Sequence, residues 1–142
     1  MTGRQAELAR TSEDLRIVLG RLVRRLRAEN TLPLRHATVL SRLDRDGPLG
    51  TSDLAQRERM RPQSMAETIK ELELDGLVLR DADPTDGRRM LIALTPGGRE
   101  TLRRDRARRE EWLATAIARE LTPREQETLA RATALLSRLA DS

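Results

Sequence analysis

The apolar residues of the first segment, Leu8, Leu15, Leu19, Leu22 and Leu26, recur at steps of seven, four, three and four. That spacing lays them along one stripe of an α-helix that packs against another helix. After Pro33, a shorter stripe of Leu34, Ala37, Val39, Leu40 and Leu43 predicts a second helix that stops at the Asp46-Gly47-Pro48 turn. Thr51 or Ser52 can cap a short third helix reaching to about Glu58. Pro62 suits the first position of a fourth helix, where its missing N–H costs nothing. Met65, Ile69 and Leu72 mark the buried face of that helix, and Gly76 marks its end.

The helical period then gives way to two short apolar runs. Leu77 to Leu79 and Met90 to Leu94 read as strands of a hairpin, joined through the turn chemistry of Asp83-Pro84-Thr85-Asp86-Gly87. Thr95-Pro96 opens a fifth helix to about Arg119. Its stretch from Arg103 to Glu111 has almost no apolar residue, so it is expected to be solvated, as in a helix bridging two lobes. Thr122-Pro123-Arg124-Glu125 is a capping box for a sixth helix, in which Leu129, Ala132, Leu136 and Leu139 form a second pairing seam. The fold class is therefore mainly α with a small β-hairpin wing. Helix, helix and strand–loop–strand between 34 and 94 is the order of a winged helix-turn-helix lobe. The segments 1–30 and 96–142 form a helical dimerisation lobe within one 142-residue domain.

Composition sharpens this picture. Phe, Tyr and Cys are absent and Trp112 is the only aromatic residue, so the core is aliphatic and part of the burial is expected from a second copy of the chain. Without cysteine there is no disulfide, thiolate nucleophile or cysteine-held metal. His36 is the only histidine, which excludes a multi-histidine metal site in one chain; no cofactor or metal is expected, and the chain is not read as an enzyme. His36 is a packing residue or, with Trp112, a ligand-pocket residue. No signal-peptide core or membrane-length apolar run occurs, so the expected location is the cytoplasm.

The formal net charge of +4 suits a polyanionic partner, yet between Thr51 and Met90 the acids outnumber the cations. The chemistry thus rests on where the charges fall. On the fourth helix, the face opposite Met65, Ile69 and Leu72 carries Gln63, Ser64, Ala66, Glu67 and Lys70. In a major groove these match, in order, adenine, a base or phosphate, a thymine methyl, cytosine N4, and guanine or phosphate. Arg57, Arg59 and Arg61 precede that helix, and Arg88 and Arg89 stand at the hairpin, suited to phosphates or the adjacent minor groove.

From Leu54 through Asp-Pro-Thr-Asp-Gly-Arg-Arg (Asp83 to Arg89) to Leu94-Thr95-Pro96-Gly97, the sequence resembles the multiple antibiotic resistance regulator (MarR) family of transcription factors. The resemblance spans nearly the whole chain, and its most specific part is Asp86-x-Arg88. It implies a homodimer formed by the first, fifth and sixth helices, with Leu8, Leu15, Leu19, Leu22, Leu129, Leu136 and Leu139 at the interface. It also implies a pseudo-palindromic double-stranded DNA operator, Arg88 in the minor groove, Asp86 as wing support, and release of a repressor by a small-molecule effector. Glu67 and Glu71 depart from the family, in which basic residues are common on this helix. Two other readings stay open. A winged-helix module for protein–protein contact would account for the acids, and an enzyme site at the dimer cleft would have few groups to draw on.

Overall fold

The structure is a computed structural model and describes residues 2–142. Its elements, in chain order, are α1 (Gly3–Arg27), α2 (Leu34–Asp46), α3 (Thr51–Arg57), α4 (Pro62–Leu74), β1 (Val78–Ala82), β2 (Met90–Leu94), α5 (Pro96–Glu120) and α6 (Pro123–Ala140). They divide into two compact units, Asn30–Ala107 and the segment up to Glu29 together with Arg108–Ser142.

The Asn30–Ala107 unit holds the core. Val39, Leu40, Leu43, Leu54, Met65, Ile69, Leu72, Val78, Ile92 and Leu102 meet there, contributed by α2, α3, α4, both strands and the start of α5. Each fully buried aliphatic side chain of this kind contributes about 1.5–3 kcal/mol. Gly47, at φ 77°, ends α2. Gly76, at φ 71°, ends α4 in a paired cap: its N–H donates to Glu73 O at 3.0 Å and Leu77 N–H donates to Leu72 O at 2.9 Å. That second bond uses the Leu77 amide, so β1 starts one residue later than the sequence suggests. Pairing with Met90–Leu94 then carries it through Arg80 and Asp81 to Ala82. Leu49 adds a one-residue bridge to Ile92, too short to leave a sequence pattern.

Two further departures have local causes. Neither Thr51 nor Ser52 caps α3. The N-cap is Gly50, with no side-chain bond, and its carbonyl takes the Leu54 N–H at 3.0 Å, so Thr51 is already helical. The arginine-rich stretch of α5 is not solvated throughout: Asp105 is fully buried, and Oδ1 accepts the Thr31 N–H at 2.7 Å and its hydroxyl at 3.0 Å. Together with buried Leu102 and an Arg106–Asp44 ion pair at 2.9 Å, this joins the first half of α5 to the winged unit. That unit therefore extends past both ends of the 34–94 lobe expected from sequence. Thr95 caps α5, its Oγ1 accepting the Gly98 N–H at 2.9 Å and donating to Gly76 O at 2.6 Å.

In the other unit, α1 starts at a Thr2/Gln5 capping box, ahead of the Leu8 stripe, and α6 starts at a Thr122/Glu125 box. Neither α1 nor α6 buries a single residue. Leu8 is 58% exposed and Leu139 60% exposed, with Leu19 and Leu22 also exposed and Leu15, Leu129 and Leu136 partly covered. Ile17, Val18, Val23 and Leu135 widen this apolar surface beyond the stripes read from the sequence. The Arg25 guanidinium lies 4.3 Å from the centre of the Trp112 ring.

Candidate nucleic-acid interface

α4 sorts its residues cleanly. Met65, Thr68, Ile69 and Leu72 are buried, while Gln63, Ser64, Ala66, Glu67 and Lys70 are exposed. The Thr68 hydroxyl is satisfied within the helix, donating to Ser64 O at 3.0 Å. Gln63, Ala66, Glu67 and Lys70 sit at i, i+3, i+4 and i+7, a single outward row near the helix N-terminus. The approach is set by Arg59, the one non-glycine residue at positive φ (53°) among the described residues, followed by Arg61 as N-cap and Pro62 at the first turn.

The hairpin loop is held by its own carboxylates. Asp83 Oδ1 accepts the Thr85 N–H at 2.9 Å and its hydroxyl at 2.8 Å, bonds that hold the Asp83 carboxyl below the usual range. Asp86 Oδ1 accepts the Arg88 N–H at 3.1 Å, so this carboxylate braces the backbone of Arg88 and leaves the guanidinium to point elsewhere.

The five candidate phosphate contacts fall into two groups. Arg59, Arg61 and Arg88 make no side-chain ion pair among the described residues. Arg57, by contrast, donates to Asp46 at 2.7 Å, in a chain with Arg42 and Glu58 that ties α3 to α2 and lowers the Asp46 pKa. Arg89 pairs with Asp53 of α3, beside a cleft of about 440 Å³ lined by Gly50, Thr51, Ser52 and Met90. Thirty-six positions separate Asp53 from Arg89, and no local pattern in the sequence joins them.

His36 and Glu71 lie 35 positions apart in the sequence, and the fold brings them together. His36, 7% exposed, places Nε2 2.6 Å from Glu71 Oε2, and Arg35 donates to the same oxygen from Nη2 at 2.7 Å and Nε at 3.2 Å. The His36 bond, then that of Arg35, holds the Glu71 carboxyl below its ordinary pKa. Glu71 therefore faces α2, and Glu67 is the acid left on the outward row. Trp112 lies in the other unit and lines an open cleft of about 350 Å³ with Glu29, Arg108, Glu111 and Thr115. Among the described residues no helix is long and apolar enough to cross a membrane.

Comparison with known proteins agrees with this arrangement. The MarR family model matches residues 32–90. An HTH-type transcriptional regulator of Mycobacterium tuberculosis is 36% identical over 136 residues, which are 94% of each protein. A transcriptional regulator structure from Pseudomonas aeruginosa aligns with a TM-score of 0.84 and 36% identity, covering 100% of this chain and 99% of that one. A variant of S. aureus MepR, bound to an oligodeoxyribonucleotide, shares the fold at a TM-score of 0.68 and 21% identity, with 91% of this chain and 97% of that one covered. The chain thus belongs to the MarR family of winged helix-turn-helix proteins and is a DNA-binding transcription regulator.

Proposed function

We propose that the chain is a cytoplasmic, homodimeric repressor that reads a pseudo-palindromic operator. The observation that carries this is the division of α4 into a buried face and an outward row, Gln63, Ser64, Ala66, Glu67 and Lys70, flanked by Arg59, Arg61 and Arg88, which make no side-chain ion pair among the described residues. α4 enters the major groove, Arg59 and Arg61 meet the phosphates at its entry, and Arg88 reaches into the adjacent minor groove. Arg57 and Arg89 contribute first to the lobe's own rigidity, through Asp46 and Asp53.

The apolar, unburied faces of α1 and α6 support pairing through Leu8, Leu15, Leu19, Leu22, Leu129, Leu136 and Leu139. Two α4 helices fixed in this way read half-sites about 10 bp apart or a multiple of that. Occupancy of a promoter is sufficient for repression. A small-molecule effector relieves it by binding the released geometry better than the DNA-bound one. Selection of bound fragments from the source genome tests the reading. A two-fold symmetric consensus, with affinity falling log-linearly in salt, is expected; a consensus without symmetry contradicts it.

A further inference from the structure

α4 presents its outward row near its N-terminus, and apolar contacts of Met65, Ile69 and Leu72 hold its inner face. Apolar packing is non-directional and tolerates small rotations of a helix about its axis. Base reading tolerates far less, because hydrogen bonds to base edges work only over about 2.7–3.2 Å. A turn of roughly 15° moves an atom on the helix rim, about 5 Å from the axis, by more than 1 Å. A directional contact sharpens the rotation that this packing sets, as base reading by Gln63 and Lys70 requires.

Glu71 is placed to do this. It lies eight residues after Gln63, about 12 Å along the axis, and a single oxygen, Oε2, takes three N–H donors from two consecutive residues of α2. One donor group is the Nε2 of His36, which is buried. The other is the guanidinium of Arg35, whose fork limits the approach direction. The second polar tie of α4, Glu73 to Arg80 at 2.6 Å, runs to β1; it is no more exposed than the Arg35–Glu71 pair, but it has a single donor residue and no buried partner.

We propose that Arg35 and His36 act through Glu71 as positioning residues that set the rotational register of the recognition helix, and with it base discrimination. This rests on the reading of α4 as the base-reading helix. Losing the clamp leaves Arg59, Arg61 and Arg88 on the phosphates but misaligns the readers, so selectivity falls while general DNA affinity does not.

The test compares affinity for the duplex recovered by selection with affinity for a random-sequence duplex of equal length. Glu71→Ala and His36→Leu are expected to lower the ratio about tenfold, with random-duplex affinity and salt slope unchanged. His36→Gln, whose amide donates from nearly the position of Nε2, is expected to restore the ratio. A ratio within twofold of the native value in both Glu71→Ala and His36→Leu overturns the proposal. So does a parallel loss of both affinities with thermal stability, or a Gln variant no better than Leu. Gln63→Ala serves as the control on the underlying reading: if it leaves the ratio unchanged, α4 is not the reader and that reading falls, whatever the clamp variants do.

Discussion

Asp105 Oδ1 accepts both the backbone N–H and the hydroxyl of Thr31, at 2.7 and 3.0 Å, from inside a stretch of α5 that is otherwise arginine, glutamate and alanine. A carboxylate with no exposed surface answers a donor 74 positions away, and so fixes the chain entering α2 to the helix leaving the wing. Asp105→Ala removes both bonds, and a hydrogen bond to a charged group contributes about 1.5–3 kcal/mol. Urea unfolding should show a loss of that size, with Asp105→Asn recovering most of it. Equal stabilities for Ala and the native residue would refute the assignment.

Gly98 predicts a steric effect. A Cβ at this position would lie 2.0 Å from the Leu77 carbonyl oxygen, backbone that is itself held in the α4 cap and the start of the hairpin. Gly98→Ala should therefore destabilise the fold by about 1–3 kcal/mol, although alanine is the better helix former. Gly3→Ala, which meets nothing within 4 Å, is the matched control in a thermal melt.

Acid should weaken the fold through Glu100. Arg103, then Arg104, pull its carboxyl from 4.5 down to about 2. A carboxyl whose pKa is lower in the folded chain than in the unfolded one stabilises above the unfolded value, and that contribution disappears as pH falls through the folded value. The melting temperature should accordingly be level above pH 4.5 and decline between 4.5 and about 2. Glu100→Gln should shallow that decline, and an unchanged acid limb would show that the exposed pair carries no weight.

Arg88 and Arg89 are adjacent in sequence but should behave differently on DNA. Arg88→Ala removes an unmatched charge from the wing, so binding to all duplexes should weaken and the salt slope fall by about 1. Arg89→Ala removes a charge already answered by Asp53 and should change the slope much less. Affinity measured at several salt concentrations separates the two, and equal slopes for both variants would place Arg89 on the phosphates as well.

Gln63 should act at one place only. Its replacement by alanine is expected to change preference at one base pair per half-site by about 1–3 kcal/mol and leave the other positions as they were. An altered consensus at every position would mean that α4 had shifted as a whole.

The helices and the hairpin are legible in the sequence because their signals are local. The i, i+3, i+4 stripes, Pro62, Gly76 and the Thr122 box each act within a turn or two of chain. The outward row of α4 follows from the same periodicity. What the sequence does not disclose is who answers whom across the fold. His36 with Glu71, Asp53 with Arg89 and Thr31 with Asp105 are 35, 36 and 74 positions apart, and each pair is set by tertiary packing. The sequence pattern starts the first strand at Leu77, whereas the strand starts at Val78, because the helix cap uses the Leu77 amide.

The uncovered apolar faces of α1 and α6 reach beyond architecture. Under the proposed pairing these faces find their burial in a second copy and owe their persistence to mass action, so the melting point should climb as the protein is made more abundant. In a cell holding few molecules, the supply of this chain would then itself tune how firmly its target DNA is held.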